Sequence, residues 1–285
     1  MNSTFLSVLM SARNAERTIR TAVKSTLYAM PADSELLVLL DNSTDDSANV
    51  LANIKDKRLR VLFSHERLGI NASRNHLAAE AKGPYIGIMD SDDVCLPWRF
   101  TEALKKMTKY DAVFSTALVF GARLRPLPFL PQLPLELDPT LSRLMLSLRN
   151  PFVHSSAMYR KSDFIRLGGY SKSKSEDYEL WLRMVNSGMT LYRNPLPWVA
   201  YRFHPSQASQ ETGFMNQVMS SETLIDQLTT LRSRVASELT SAEAWSSHVE
   251  TFVQSSLIRH NPLFKLEFSG LPGFLRSWKQ RSIKK

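Results

Sequence analysis

Three carboxylates stand close together in Asp90-Ser91-Asp92-Asp93, directly after the apolar run Tyr85-Ile86-Gly87-Ile88-Met89. Like charges that near repel one another, and a bound divalent cation with oxygen ligands relieves the repulsion. A second acidic pair, Glu176-Asp177, opens the stretch EDYELWLRMVN (176–186), in which Leu180, Trp181, Met184 and Val185 recur at helical spacing. A carboxylate in the first turn of a helix is favoured by the helix dipole and stays ionised at neutral pH, as a general base must. Each cluster also has an inert reading: a solvated acidic turn for the first, helix-end electrostatics for the second. Chemistry requires that both face one hollow.

The elements that must position these groups follow from periodicity. Phe5 to Met10, Leu36 to Leu40, Leu59 to Phe63, the run into Asp90, and Ala112 to Phe120 read as strands. Between them, one helix is predicted from Ile19, Ala22, Val23 and Thr26, with Asn14 as its cap. Others are expected over Ser47 to Ile54, Gly69 to Lys82 (closed by Gly83-Pro84) and Trp98 to Lys109. This alternation predicts an α/β fold with a mostly parallel central sheet flanked by helices. Ligands in such sheets bind beyond the carboxyl ends of the strands, where Asp90 and Asp92 would lie. Between Arg123 and Pro139 the density of prolines predicts a long irregular loop. Beyond it come a helix over Thr140 to Leu148, a strand near Val153 to Tyr159, a brief helix capped by Ser162, and the helix from Glu176 to Asn186. Met215 to Thr240 has the leucine pattern of packing helices, giving a helical C-terminal extension.

Composition narrows the partners. The 285 residues, 43% of them apolar, suffice for one large core with a smaller appendage. Of the net charge of +9, six units lie in Arg259 to Lys285, where seven basic residues face one acid, Glu267. A chain that grips nucleic acid spreads basic residues over its folded face, so no nucleic-acid partner is expected. The basic tail carries Phe264, Phe268, Phe274 and Trp278, a mixture that suits peripheral contact with an anionic membrane and equally a terminal helix packed on the domain. The one cysteine, Cys95, cannot form an internal disulfide and fits a reducing compartment. No apolar run approaches the ~18 residues of a membrane span, and no basic segment precedes the first apolar residues. The expected location is the cytoplasm, with the tail as the part that could touch the membrane's cytoplasmic face.

Taken in order, several fragments resemble the family 2 glycosyltransferases, which have the GT-A fold. They are Ser7 to Glu16 (SVLMSARNAE), Asp41-Asn42-Ser43-Thr44-Asp45, Gly69 through Arg74-Asn75, Lys82-Gly83-Pro84-Tyr85-Ile86 into Asp90-Ser91-Asp92-Asp93, Gly168-Gly169-Tyr170, and Ser175 to Trp181. The resemblance runs from Leu6 to Ser209. It implies an inverting, metal-dependent hexosyltransferase that uses a nucleotide-diphosphate sugar, most often a UDP-sugar, with Mn2+ or Mg2+ as cofactor. On that resemblance Ser11, Ala12, Arg13 and Asp41 hold base and ribose, and Arg74 and Ser91 face the nucleotide portion. Asp90, Asp92 and His204 form the metal site. Asp177 is the catalytic base and Glu176 orients the acceptor beside it. Residues 1–120 would then bind the donor, 121–210 the acceptor, and 211–285 form the basic extension. The implied role is surface polysaccharide synthesis on a glycan or lipid-linked acceptor. A sugar-phosphate nucleotidyltransferase would call for a glycine-rich phosphate loop with a lysine after the first strand, and Ser11 to Arg17 has no glycine. A non-catalytic nucleotide-sugar-binding scaffold would lack Asp92 or Asp177, and both are present.

Overall fold

The computed structural model describes residues 5–121, 130–131, 136–204 and 221–238. The first half alternates as the periodicity predicts: β1 (Leu6–Ala12), α1 (Ile19–Ala29), β2 (Ser34–Asp41), α2 (Ser47–Ala52), β3 (Leu59–Ser64), α3 (Ile70–Glu80) and β4 (Tyr85–Ile88). It continues with β5 (Val94–Cys95), α4 (Arg99–Met107), β6 (Ala112–Gly121), β7 (Leu130–Pro131) and α5 (Pro139–Leu146). A 3-10 turn (His154–Ser156), β8 (Met158–Arg160), α6 (Lys161–Arg166), α7 (Glu176–Asn186), β9 (Leu191–Phe203) and α8 (Glu222–Glu238) follow.

The strands form one sheet in the order β3-β2-β1-β4-β8-β6-β9-β5, with β7 on β6. The long pairings, β1 with β2 and β4, β2 with β3, and β6 with β9, are parallel. Those of β8 with β4 and β6, β5 with β9, and β7 with β6 are short and antiparallel. The sheet is therefore mostly parallel by length. Successive side chains of a strand point to opposite faces. Leu6, Val8, Met10 and Ala12 of β1 join Leu36, Val38 and Leu40 of β2 in a core closed by Ile19, Val23 and Leu27 of α1. The other face, with Leu9, Leu37 and Leu39, is covered by α3. Burial on both sides explains why the middles of these strands, Val8 to Met10 and Leu36 to Leu40, are apolar at successive positions.

The edge of the sheet away from Asp90 is pinned by a buried glutamate. The Glu35 carboxylate accepts hydrogen bonds from Ser7 Oγ (2.8 Å), the Lys82 amide (2.7 Å) and Arg60 Nη1 (2.7 Å). Burial raises its pKa, but Arg60, Lys82 and Ser7 together outweigh it and hold the carboxyl below its usual range. Gly83 passes so close to β1 that an added Cβ would lie 2.8 Å from Ser7 N. Gly83→Ala is expected to cost about 2 kcal/mol of stability by forcing β1 and this turn apart. A fall in the urea midpoint at unchanged slope would show it.

Several local expectations are corrected. Asn14 does not cap α1, whose N-cap is Thr18; it takes a positive φ of 50°. Ser162 lies inside α6, capped at Arg160, and α3 ends at Ala81 before Gly83-Pro84. Val153 to Tyr159 is split between the 3-10 turn and β8. Within the proline-rich stretch, Leu130–Pro131 is paired with β6 despite its proline, the two-residue β7 branching off the main strand order and pairing with β6 alone. Proline is tolerated in such positions because no central ladder bond is lost. The rest of that loop, residues 122–129 and 132–135, the segment 205–220 and the basic tail lie outside the described residues. Two compact units divide at Thr229/Thr230; all the strands belong to the first, and of the second only residues 230–238 are described. Among the described residues no helix is long and apolar enough to cross a membrane.

Candidate active site

β4 lies between β1 and β8, and the chain leaves the sheet just after Met89, whose amide still bonds to Leu9 O. Asp90 thus emerges at the carboxyl edge of the parallel strands. Arg74, on the buried side of α3, reaches it: Nη2 lies 2.9 Å from Asp90 Oδ1, and Nη1 lies 2.6 Å from Glu176 Oε1. One guanidinium therefore joins the acidic loop after β4 to the first turn of α7, a planar fork suited to two carboxylates. Burial works against the charged arginine, but Asp90 and Glu176 more than compensate and raise its pKa further. Burial pushes the Glu176 carboxyl up; Arg74 opposes this and the neighbouring Asp177 adds to it. The Arg74 guanidinium also lies over the Tyr170 ring, 5.7 Å from its centre.

Asp177 projects from the same helical turn and is held from two sides. Its Oδ1 accepts from the Tyr178 amide (2.7 Å) and its Oδ2 from Asn150 Nδ2 (2.9 Å). The Asn150 carbonyl oxygen accepts from the Phe152 amide (3.1 Å), so the side-chain NH2 must be the end that faces Asp177. Burial raises the Asp177 carboxyl above its ordinary value. Arg74, Asp90, Asn150, His154, Glu176 and Asp177 all line one cavity of about 980 Å³. His154 bonds through Nε2 to Tyr170 Oη (2.8 Å), which in turn meets Tyr159 Oη (3.0 Å). Burial lowers the His154 pKa well below its usual value, so this ring stays neutral and helps carry Tyr170 under Arg74.

The remaining carboxylates of the β4–β5 loop have separate partners. Asp93, 1% exposed, accepts from Ser155 Oγ and from the Arg202 amide (2.8 Å). It ties the loop to the 3-10 turn and to β9 and caps no helix. Arg99, buried beneath, donates to the Ile88 carbonyl and lies 3.1 Å from Met89 Sδ. Asp92 is part-exposed, with Oδ2 3.0 Å from His204 Nε2 at the end of β9. Burial and then Asp90 raise the Asp92 pKa. Asp90 is turned toward Arg74, and among the described residues no three such side chains converge as a metal-binding group. A carboxylate and an imidazole are donor types that suit a divalent cation, although here Asp92 and His204 are hydrogen-bonded to each other.

The residues assigned to base and ribose gather at the ends of β1 and β2. Ser11 and Ala12 pair with Leu39 and Leu40, and Arg13 beyond them is exposed. Asp41 spends both oxygens locally, accepting from the amides of Leu68 (2.7 Å) and Gly69 (2.9 Å). It thereby sets the start of α3, where Gly69 has φ 82°. Asn14 and Asn42 both adopt positive φ, a conformation asparagine tolerates better than most residues. The Asn14 side chain accepts from the Thr44 amide (2.8 Å), so the loops after β1 and β2 are laced together. Of the sequence-assigned residues, the cavity wall joins Arg74, Asp90, Glu176 and Asp177; Ser11, Ala12, Arg13, Asp41, Ser91, Asp92 and His204 stand outside it. Asn150 went unnoticed in the sequence, where Asn150-Pro151 reads only as a turn signal.

Comparison with known proteins bears on the family and the fold. EpsE of Bacillus subtilis (strain 168) is 30% identical over 204 residues, covering 66% of this chain and 69% of EpsE. WfaP of Escherichia coli, a UDP-Glc:alpha-D-GlcNAc-diphosphoundecaprenol beta-1,3-glucosyltransferase, is 25% identical over 204 residues, covering 72% of this chain and 79% of WfaP. The crystal structure of S. aureus TarS 1-349 in complex with UDP-GlcNAc covers 98% of this chain and 89% of its own at a TM-score of 0.61. At 16% identity that likeness concerns the fold. Residues 7–168 match glycosyl transferase family 2, and with that match the chain belongs to the family and is a glycosyltransferase.

Proposed function

We propose that this glycosyltransferase moves a sugar from a UDP-sugar to a hydroxyl of a glycan or lipid-linked acceptor, with inversion, in surface polysaccharide synthesis. The observation that carries the reading is the Arg74 fork, which brings Asp90 after β4 and the Glu176-Asp177 turn of α7 to one cavity. The acceptor oxygen attacks the anomeric carbon from the Asp177 side and gives its proton to that carboxylate. The bond to the diphosphate breaks on the opposite face, and its electron pair leaves with the diphosphate. Asn150 and the Tyr178 amide each occupy one Asp177 oxygen without exhausting its lone pairs, so the base is oriented yet able to accept the proton. Glu176, fixed by Arg74, shapes the floor against which the acceptor lies.

Asp92 and His204, with Asp90, would hold Mn2+ or Mg2+. Such an ion, when bound, neutralises the charge that grows on a departing diphosphate. Peripheral attachment of the basic C-terminus to an anionic membrane belongs to the same proposal. A panel of nucleotide sugars, titrated with and without Mn2+, tests donor and metal together. Asp92→Asn is expected to abolish the metal-dependent part of UDP binding, and undiminished binding by that variant would refute the metal assignment.

A further inference from the structure

His154 stands on the cavity wall without a part in the proton transfer or in the departure of the diphosphate. It belongs to the 3-10 turn and is half-buried, with the cavity on one side. Its Nε2 meets Tyr170 Oη (2.8 Å), and that oxygen meets Tyr159 Oη (3.0 Å). Tyr170 is 4% exposed and Tyr159 0%, so both hydroxyls depend on partners within the protein. Among the described residues Tyr159 Oη bonds to Tyr170 and to nothing else. His154 Nδ1 has no partner among them, and it is not one of their sealed polar atoms.

The protons of this network fix its tautomer. Burial, with Arg74 and Arg99 near, keeps the imidazole neutral, so it carries a single N–H. The two tyrosines and the imidazole therefore bring three protons to two hydrogen bonds, and one proton is left over. Were the imidazole proton on Nε2, the one left over would be a hydroxyl proton sealed in the core, an unpaired donor of the kind folded proteins avoid. In the other arrangement Tyr159 donates to Tyr170, Tyr170 donates to Nε2, and the remaining proton sits on Nδ1. The two ring nitrogens point to different sides of the imidazole, so Nδ1 is the end free of Tyr170. A neutral donor there complements Glu176 and Asp177, which line the same cavity and only accept while ionised. A sugar hydroxyl both donates and accepts: it can give its proton to a carboxylate and take a hydrogen bond from His154.

We propose that His154, through Nδ1–H, binds a hydroxyl of a sugar in this cavity and so helps to set which sugar the enzyme takes. This rests on the cavity being the site of transfer; full activity in Asp177→Asn would remove that premise in a separate assay that leaves the tautomer untouched. Nitrogen NMR of the histidines, with the His154 signals assigned by their loss in His154→Gln, should show a proton on Nδ1 and none on Nε2. The reverse overturns the proposal. Two substitutions then separate sugar binding from support of Tyr170. An asparagine amide nitrogen sits as many bonds from the backbone as Nδ1, and a glutamine amide nitrogen as many as Nε2. His154→Gln thus keeps a partner for Tyr170 and loses the cavity donor, and His154→Asn does the opposite. The full chain, with Mn2+ present, is titrated with UDP, UDP-glucose, UDP-galactose and UDP-N-acetylglucosamine, and then, saturated with UDP, with the methyl glycosides of the same three sugars. His154→Gln should weaken a UDP-sugar about tenfold if the contact is to the transferred sugar, or a glycoside about tenfold if it is to the acceptor sugar. UDP affinity should be unchanged in either case, and His154→Asn should lose less. Equal losses in the two variants would assign the ring to the support of Tyr170 alone, and undiminished binding of both ligand series by His154→Gln would mean that no sugar meets Nδ1; each result overturns the proposal.

Discussion

Asp177→Asn should lower the transfer rate by about 10²–10⁴-fold, the usual contribution of a positioned general base, while UDP affinity stays at its wild-type value. The substitution keeps the shape of the side chain and removes its ability to take a proton. Asparagine has one acceptor oxygen where aspartate has two, so either the Tyr178 amide or Asn150 Nδ2 loses its partner. That costs some stability but leaves the donor side of the cleft untouched. The pH profile supplies a second readout. Burial raises the Asp177 carboxyl above its ordinary 3.8, and a base works only when ionised. Wild-type activity should therefore fall as pH drops through that raised value, and the variant's residual activity should lack this limb. Steady-state transfer and calorimetric UDP titration on both proteins decide it; normal turnover by Asp177→Asn means another group takes the proton.

Arg74→Ala is the second large effect, and it concerns stability as much as rate. The side chain is 5% exposed and satisfies carboxylates from two distant segments. Removing it leaves Asp90 and Glu176 facing each other and Asp177 without a cation, at a cost of about 3–5 kcal/mol for a buried pair broken on one side. The loss should depend on pH with a definite sign. Glu176 already has its folded pKa raised by burial, and it rises further once Arg74 no longer opposes that. A raised folded value means the native state holds its proton longer than the unfolded chain, so the deficit is largest at neutral pH and shrinks in mild acid. Arg74→Lys should recover part of the loss, since one ammonium supplies charge but cannot fork to both oxygens. Urea unfolding at neutral and mildly acidic pH measures all of this, and equal deficits at both would show that the ion pairs are not its source.

Much of this architecture could be read from local pattern. The bounds of α7 coincide with the stretch its apolar spacing marks, because Leu180, Trp181, Met184 and Val185 must share one face of a helix to be buried. β1 and β2 are legible for a related reason: covered on both sides, they are apolar at successive positions over Val8 to Met10 and Leu36 to Leu40. β9 was not. It contains Pro195 and Pro197 and pairs with β6 across an irregularity between Ser115 and Ala117, so its strand character comes from its neighbour and not from its own residues. The two-residue β5 exists only because β9 runs beside it.

The site divides along the same line. Residue types and spacing singled out Asp90, Asp92 and the Glu176-Asp177 pair as candidates, because crowded carboxylates and a helix's first turn are local facts. Chain order could not reveal that Arg74 binds a carboxylate 102 residues away, that Asp93 is a buried tie, or that Asn150 holds Asp177. Periodicity is written into neighbours along the chain, whereas ion-pair partners are chosen by which loops the folded sheet brings together, and no spacing in one dimension encodes that.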